Sequence, residues 1–468
     1  TFLLSITLIR SSSGFQLSHS KSIHISSSNV IPRPRFSMFM QINKQPREIR
    51  RPEFEPSLFW DLNRIAFSLL PLAPGPRRKT ICQEIIKDTV WTLDQIQGIV
   101  NVNVPVRCTV IKLLSGGLFI YNPVAPTPEC LSIIKKLETQ YGQVKYIILG
   151  TVGLEHKALA GPFSQKFPYA EIYLQPGQWS FPLNLPNKLL GFPVNKRLYE
   201  IPENSKLSPW YNEIDHCRLG PLYFQSVGGF SETAFYHRAT RTLLVTDIII
   251  NVTDTPPDII TEDPRSLLFH ARDDMLEIVE DTDEIRRKGW RRQVLFGLIF
   301  FPSGITITPL LNTLSKINKV TDKMKLLGEG GFGALYPWRW RETERESFEA
   351  LQGGLLVAPI LRKLILNREP TVVLEWVEKV CQWDFQRIIP CHIGNDIKAT
   401  KKEFRNAFTF LETVSIGPQP KEADLNLLNK ISDIFTTLRI VAPAQPLIES
   451  KSKNYIKSNK RNNIFFNK

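Results

Sequence analysis

Four residues of the chain offer side chains for metal binding or acid–base chemistry: Glu155, His156, Asp247 and His392. They end or follow three apolar runs that are typical of strands: Val144–Leu149, Thr242–Asp247 and Arg387–Pro390. Ligands of α/β sheets bind outside the carboxyl ends of strands, so we expect the four side chains to converge. Two imidazoles and two carboxylates are donors that zinc and ferrous iron accept. The pattern therefore predicts a site for one Zn or Fe ion, with a general base as the alternative role of Glu155.

A structural role stays open for each of these residues. A polar side chain at the end of a strand commonly caps a loop or hydrogen-bonds to the backbone. The four are distant from one another along the chain, so their convergence depends on the fold that carries them.

The predicted elements around the first pair form a hairpin followed by a βαβ unit. Val104–Leu114 and Leu118–Tyr121 are β-rich runs separated by Ser-Gly-Gly, which is typical of a hairpin turn. Pro128–Tyr141 has apolar residues at helical spacing, and a strand is expected at Ala170–Leu174. Glu155 and His156 are expected in a loop, ahead of a short helix near Pro162–Lys166.

The rest of the body alternates between strand and helix patterns. Thr233–His237 and Thr242–Asp247 predict a second hairpin. Helical patterns cover Leu267–Arg292, residues 400–412 and residues 422–438, where the last is amphipathic.

The net charge of +14 is concentrated at the two ends of the chain. Residues 1–47 and residues 451–468 each hold six basic side chains and no acidic one, which leaves only +2 for the residues between them. A protein that binds nucleic acid through its folded body concentrates positive charge on that body. We therefore expect no nucleic acid binding by the folded part.

The six cysteines are scattered and include no C-x-x-C pair, which excludes a disulfide framework and a zinc ribbon. No run of about 20 apolar residues is present, as a membrane-spanning helix would require. We expect no transmembrane span, while peripheral membrane contact stays open.

The first 47 residues have the composition of an organelle transit peptide. They are rich in serine, contain scattered arginine and lysine, and lack acidic residues. We expect them to be removed on import into the chloroplast, where the mature protein would be in the stroma or associated with thylakoids. An ordinary disordered N-terminus is the alternative.

Five stretches carry a resemblance to known proteins: NPVAPT (122–127), GLEHKALAGPF (153–163), FPYAEIYLQPGQWSFPLNLP (167–186), TAFYHRATRTLLVTD (233–247) and IIPCHIG (388–394). In these stretches the chain is similar to an uncharacterised domain-of-unknown-function family of plants, algae and cyanobacteria. From about Val104 to Leu411 it also resembles a divergent metallo-β-lactamase fold. The resemblance implies an α/β fold, an αββα sandwich with N- and C-terminal extensions.

The metallo-β-lactamase signature H-x-H-x-D-H falls on residues 151–156 of this chain. The resemblance implies that Thr151 and Gly153 replace the first two histidines, and that residues 228–230 lack a later one. The second metal site of that fold keeps a donor at every position: Glu155, His156, Asp247 and His392. The implied centre is therefore mononuclear and degenerate.

These patterns divide the chain into five segments. They are a transit peptide or disordered segment over 1–47, an extension over 48–95, the metallo-β-lactamase-like domain over 96–413 with a helical insertion near 265–380, a C-terminal helix over 414–446 and a basic disordered tail over 447–468. One hypothesis is a mononuclear metallohydrolase or non-haem iron enzyme that acts on a small organic molecule. The alternative is a non-catalytic binding or assembly module in the plastid, whose partner would be a plastid protein.

Overall fold

A computed structural model describes residues 46–49, 72–73, 78–99, 101–179, 187, 192–193, 197–224, 228–328 and 335–450 of the chain. The predicted transit peptide and the predicted basic tail lie almost wholly outside the described residues.

The strands of the described residues are β1 (Leu72–Ala73), β2 (Ile81–Ile86), β3 (Val90–Ile99), β4 (Val102–Lys112), β5 (Leu118–Tyr121), β6 (Val144–Leu149), β7 (Glu171–Leu174), β8 (Leu198–Glu200), β9 (Ile214–Phe224), β10 (Gly228–His237), β11 (Thr242–Val245), β12 (Ile250–Asn251), β13 (Ile305–Ile307), β14 (Trp338–Trp340), β15 (Leu355–Leu356), β16 (Arg387–Pro390) and β17 (Ile397–Lys398). The α-helices are α1 (Pro128–Tyr141), α2 (Leu154–Ser164), α3 (Asp258–Thr261), α4 (Arg265–Ala271), α5 (Asp283–Ile299), α6 (Leu310–Leu314), α7 (Asp322–Leu326), α8 (Arg345–Glu349), α9 (Pro359–Leu364), α10 (Pro370–Val380), α11 (Lys401–Asn406) and α12 (Asn426–Thr437).

The first sheet contains β1 to β8 and combines antiparallel with parallel pairing. Strands β3, β4 and β5 pair antiparallel, and β1 and β2 both pair antiparallel with β3. From β5 to β8 the pairing is parallel, and α1 and α2 form the crossovers. This half confirms the predicted hairpin and βαβ unit.

The second sheet has the order β17-β16-β11-β10-β9. Its hairpin of β10 and β11 is the one that the sequence predicted, and β16 pairs parallel with β11. The parallel register aligns Val245 with Pro390, so both strands end at the same level. The residues that follow them therefore leave the sheet side by side.

Three groups of buried apolar residues define the layers. Phe119 and Ile148 of the first sheet pack with Phe235, Leu244 and Ile389 of the second, so the two sheets face each other. Large apolar side chains between two sheets give the core of a sandwich. Each sheet has a second apolar face, because successive side chains of a strand point to opposite sides.

Helices cover both outer faces. Ile134 of α1 and Leu159 of α2 pack on the outer face of the first sheet. Leu295 of α5 and Val377 of α10 lie in the same apolar cluster as Leu243 of the second sheet. The predicted αββα sandwich is therefore confirmed.

The sandwich includes strands that lie before the predicted domain start at residue 96. Strand β2 and most of β3 precede this position, and β3 pairs with β4 along its whole length. Within the described residues, no helix is both long and apolar enough to cross a membrane.

Candidate metal centre

Helix α2 carries two of the four predicted site residues in its first turn. Glu155 and His156 follow the N-terminal residue Leu154 directly. The sequence interpretation placed them in a loop, and this was wrong because Pro162 was taken for the start of the helix. Pro162 instead lies near the end of α2, where its missing N–H removes only one backbone hydrogen bond.

The other two residues follow neighbouring strands of the second sheet. Asp247 comes two residues after β11 ends, and His392 comes two residues after β16 ends. Because β11 and β16 are parallel neighbours, both side chains emerge at one edge of the sheet. The helix and the two strand ends meet there.

The structure brings all four residues together. Each offers a ligand atom, and these atoms all lie within 4.8 Å of one another. Nε2 of His392 lies 2.9 Å from Oδ1 of Asp247 and 3.2 Å from Nε2 of His156. Two ligands of a tetrahedral zinc ion, each at about 2.0–2.2 Å, are separated by roughly 3.3 Å. The spacing fits a single ion.

The hydrogen bonds of His392 fix which of its nitrogens faces the cluster. Nδ1 lies 2.8 Å from the carbonyl oxygen of Pro105, which can only accept, so Nδ1 carries a proton. In neutral imidazole Nε2 is then a lone-pair nitrogen, yet its neighbour Asp247 offers a carboxylate oxygen. Nε2 of His392 and Oδ1 of Asp247 would then be two acceptors only 2.9 Å apart. Such a contact requires either a proton shared by the two atoms or a metal ion that both atoms bind.

The charges of the cluster act in opposite directions on its two histidines. Burial, followed by the charge of His392, lowers the pKa of His156 to about 4. Burial would also lower the pKa of His392, but the hydrogen bond and the charge of Asp247 raise it above its ordinary value. Burial would raise the pKa of Asp247, and the same hydrogen bond with His392 brings it below the ordinary value. The unmetallated cluster is therefore a neutral imidazole beside an ion pair.

Glu155 is the least satisfied member of the cluster. The residue is only 8% exposed, its carboxylate lines a cavity, and no described residue donates a hydrogen bond to it. A carboxylate in such surroundings is stabilised by a cation or by a donor that enters the cavity. The donor set and this free carboxylate both fit a divalent ion.

Glu232 is a site residue that the sequence analysis missed. It is fully buried on β10, and its carboxylate accepts hydrogen bonds from the amides of Thr246, Asp247 and Ile248 at 2.6, 2.8 and 3.1 Å. Burial raises the pKa of Glu232 to about 8, the charge of Asp247 acts in the same direction, and the three amides oppose both. Glu232 thus fixes the backbone that presents Asp247. A charged residue within the otherwise apolar and neutral strand GGFSETAFYH was the available signal.

Arg107 performs the same task for His392. Its guanidinium pairs with Asp94 through two hydrogen bonds of 2.8 Å, and also donates to the carbonyls of Pro390 and Ile393 at 2.7 and 3.1 Å. Those two carbonyls flank the loop that carries His392. Arg107 is 1% exposed, so this arrangement lies inside the protein.

Asn122 links the strand ends to one another. Its side-chain amide donates to Thr246 Oγ1 at 2.8 Å and to Cys391 Sγ at 3.3 Å, and its carbonyl accepts from the amide of Gly150 at 2.8 Å. The contacted residues follow β11, β16 and β6. One side chain therefore joins the ends of three strands under the site.

At the positions where the metallo-β-lactamase resemblance implies missing histidines, the described residues offer no imidazole or carboxylate. Thr151 is buried, and its hydroxyl accepts from the amide of Gly153 at 3.0 Å. A Cβ atom on Gly228 would lie 2.7 Å from the ring of Trp179, whose indole N–H donates to the carbonyl of Gly229. An aromatic ring therefore fills the space that a side chain at position 228 would need.

Solved structures of two classes are similar to this chain. The metal-soaked Flv1 flavodiiron core from Synechocystis sp. PCC6803 is 12% identical with a TM-score of 0.36, and the match covers 71% of this chain and 60% of that one. The metallo-β-lactamase DIM-1 is 9% identical with a TM-score of 0.32, over 71% of this chain and 97% of that one. The mono-zinc form of the metallo-β-lactamase FIM-1 from Pseudomonas aeruginosa is 11% identical with a TM-score of 0.30, over 75% and 96%.

The chain thus spans about three fifths of the flavodiiron core that it matches. The fold itself is defined by the two facing sheets and by the helices on their outer faces. No curated protein sequence matches the chain.

A family model described as "Domain of unknown function (DUF4336)" matches residues 87–410. The match begins just before β3 and ends after α11, so it includes β3 to β8 of the first sheet, the whole second sheet and all four residues of the cluster. The chain belongs to the DUF4336 family.

Proposed function

We propose that the chain is a mononuclear metal enzyme that acts on a small organic molecule. One divalent ion, zinc or ferrous iron, would be held by Glu155, His156, Asp247 and His392. The observation that carries the proposal is the placement of Nε2 of His392, whose lone pair faces a carboxylate oxygen at 2.9 Å while Nδ1 is committed to Pro105.

A bound ion would supply Lewis-acid chemistry, polarising a carbonyl or phosphoryl oxygen and lowering the pKa of water. The residues of the chain would orient the ligands around it. Glu232 holds the backbone at Asp247, and Arg107 holds the loop of His392. In its alternative role, with the ion held by the other three residues, Glu155 would accept a proton from the reacting molecule, because no described residue donates a hydrogen bond to its carboxylate.

The test is the metal content of the purified full-length chain. We expect about one zinc or iron per chain by elemental analysis, and a higher melting temperature on addition of the metal. At a free-metal concentration 100 times Kd, the stabilisation is about 2.7 kcal/mol. His392→Ala is expected to abolish both effects, because it removes the nitrogen shared by the cluster.

A matched pair of variants controls for general effects of lost charge. Asp247→Asn alters a proposed ligand, whereas Asp254→Asn alters an exposed aspartate a few residues further along the chain. The first is expected to lose the metal and the second to keep it. Equal metal content in both variants would overturn the proposal.

A non-catalytic binding module is the alternative, and the absence of first-site donors at Thr151 and Gly153 favours it. In that case His392 and Asp247 form a plain ion pair, with a proton where the metal would be. The purified chain would then contain no stoichiometric metal, and added zinc or iron would not change its melting temperature.

The chloroplast is the compartment that we propose for this activity, and the serine-rich, acid-free N-terminal 47 residues support it. N-terminal sequencing of the protein from plant tissue tests this. A mature chain that still contained Ser12 would argue against it.

A further inference from the structure

A cavity of about 190 Å³ extends from the metal centre into the protein. Glu155, Asp247 and His392 form part of its wall, and β4, α5 and α9 contribute much of the rest, together with residues such as Trp179 and Phe230. Its volume exceeds the roughly 150 Å³ of an engineered apolar cavity that binds benzene. A ring or a short alkyl chain therefore fits beside the cluster.

Most of the cavity wall is apolar. Val294, Leu298, Leu361 and Ile365 line it together with the indole of Trp290, whose N–H is already committed to the carbonyl of Thr253. Among the described residues, no lysine or arginine lines it. A phosphate or carboxylate group would find no counter-charge on this wall, so the wall selects against anionic molecules.

Gly297 of α5 lines the cavity, and the packing around it does not require a glycine. Gly289 of the same helix is required, because a Cβ atom there would lie 1.9 Å from the carbonyl oxygen of Leu267. At Gly297 a Cβ atom would meet only methyl groups of Val102 and Val104, at 3.9 and 4.0 Å. Glycine is a poor helix former, so its use at position 297 weakens the helix and leaves the cavity open.

The wall also contains an acceptor that lacks a donor. This acceptor is the carboxylate of Glu155, which lines the cavity. No described residue donates a hydrogen bond to it. Carboxylate oxygens in such surroundings are normally hydrogen-bonded, so a ligand with an O–H or N–H group would complete this one in the absence of metal.

We propose that the cavity binds a neutral, apolar molecule that carries one hydrogen-bond donor, with an alkyl chain or an aromatic ring against α5 and α9. The inference rests on the proposed function for the assignment of this molecule as the substrate. Its binding is measured separately, in the absence of metal.

Three small molecules of equal or similar length test the chemical class on the unmodified chain. Octan-1-ol is neutral and has a donor, its isomer 1-methoxyheptane is neutral without a donor, and octanoate is anionic. By titration calorimetry at pH 7.5, we expect octan-1-ol to bind at least tenfold tighter than octanoate and at least threefold tighter than 1-methoxyheptane. Equal or tighter binding of octanoate would overturn the proposed class, and equal binding of the ether would overturn the role of the donor.

Two variants of one residue test the location. Gly297→Leu fills the cavity with a side chain that suits a helix, and it should weaken octan-1-ol at least tenfold. Gly297→Ala adds one methyl group at ordinary contact distance and should change the affinity less than threefold. Unchanged binding in Gly297→Leu, with its melting temperature maintained, would place the alcohol elsewhere and overturn the proposal.

Metal titration distinguishes the two proposals. Gly297→Leu should keep the metal content of the unmodified chain, since position 297 touches none of the four ligands. If octan-1-ol binds and no metal does, the ligand class stands and the enzyme proposal fails. If metal binds and octan-1-ol does not, the ligand class fails alone.

Discussion

The two sides of the cluster are held by very different amounts of structure. Asp247 and His392 follow strands, and each is fixed by a buried polar side chain, Glu232 or Arg107, that bonds to the backbone around it. The other side is the first turn of α2, where Gly153 provides no side-chain cap and Glu155 receives no hydrogen bond from a described residue. The strand side is thus preorganised, whereas the helix side depends on what it binds.

The two sides therefore differ in how freely their residues can change. Residues fixed by buried networks cannot change without disturbing the sheet ends, because breaking a buried charge pair leaves an unpaired charge. Residues at a helix start with few partners can change at little cost.

Removal of Arg107 should give the largest effect. Arg107→Met leaves Asp94 buried without its partner and removes the donor from two carbonyls beside His392. We expect a loss of about 3–5 kcal/mol in the free energy of unfolding, measured in urea, together with loss of metal binding.

A double variant separates the effect of the unpaired charge of Asp94 from the effect of Arg107 on the loop that carries His392. Arg107→Met combined with Asp94→Leu removes both members of the pair, so most of the stability should return. Metal binding should stay weak, because the loop at His392 still lacks its donor. If the double variant bound metal normally, the positioning role of Arg107 would be excluded.

Glu232→Gln should give the next largest effect. The amide keeps one acceptor oxygen, and its NH₂ group cannot accept from the backbone amides that the second carboxylate oxygen serves. We expect a loss of about 2–3 kcal/mol in stability and a metal affinity that is weaker by about 10- to 100-fold. Urea unfolding of the metal-free variant gives the first value and metal titration gives the second. A variant that matched the unmodified chain in both would remove Glu232 from the site.

Much of the strand side could be predicted from the sequence, whereas its supports could not. Asp247 and His392 follow short apolar runs, and the rule that parallel strands end at one edge is general. Arg107 and Glu232 act through backbone atoms about 283 and 15 residues away, and nothing in local periodicity indicates such partners. The start of α2 was missed for a related reason, since nearly all of its residues are buried and its sequence lacks an amphipathic pattern.

A histidine outside the cluster, His270, should make the stability of the folded protein sensitive to acid. Burial lowers the pKa of His270 to about 3, and only its Nε2 is bonded, to the carbonyl of Asn101. The unfolded chain takes up a proton near pH 6.5 that the folded chain refuses. The contribution of neutral His270 to the free energy of unfolding is therefore fully present above pH 6.5 and is lost as the pH decreases towards 3.

At pH 5.5 this one group should reduce the free energy of unfolding by about 1.4 kcal/mol. Between pH 7.5 and 5.5, the free energy of unfolding of His270→Gln, measured in urea, should fall by about 1.4 kcal/mol less than that of the unmodified chain. An unchanged slope would mean that His270 is protonated in the folded protein.

Glu155→Gln should give the smallest effect on stability, and of the opposite sign. The metal-free protein loses a largely buried carboxylate to which no described residue donates a hydrogen bond, so we expect it to gain up to about 1 kcal/mol in the free energy of unfolding. The metal affinity should fall, because an amide oxygen is a weaker ligand. Metal-free and metal-loaded samples, unfolded side by side, measure both. A clear loss of stability in the metal-free variant would show that Glu155 has a partner, and the contrast between the two sides would disappear.

The bond from His392 to Pro105 spans 287 positions of the chain, and the contact between His392 and His156 spans 236. Contacts of such separation form late, because the whole intervening chain has to be ordered before they close. During synthesis, β4 and α2 leave the ribosome long before β16 does, so the half-built domain has a sheet edge but no ion site. Metal capture would therefore require that β16 has docked, and would add its binding free energy only to chains that are complete to that point.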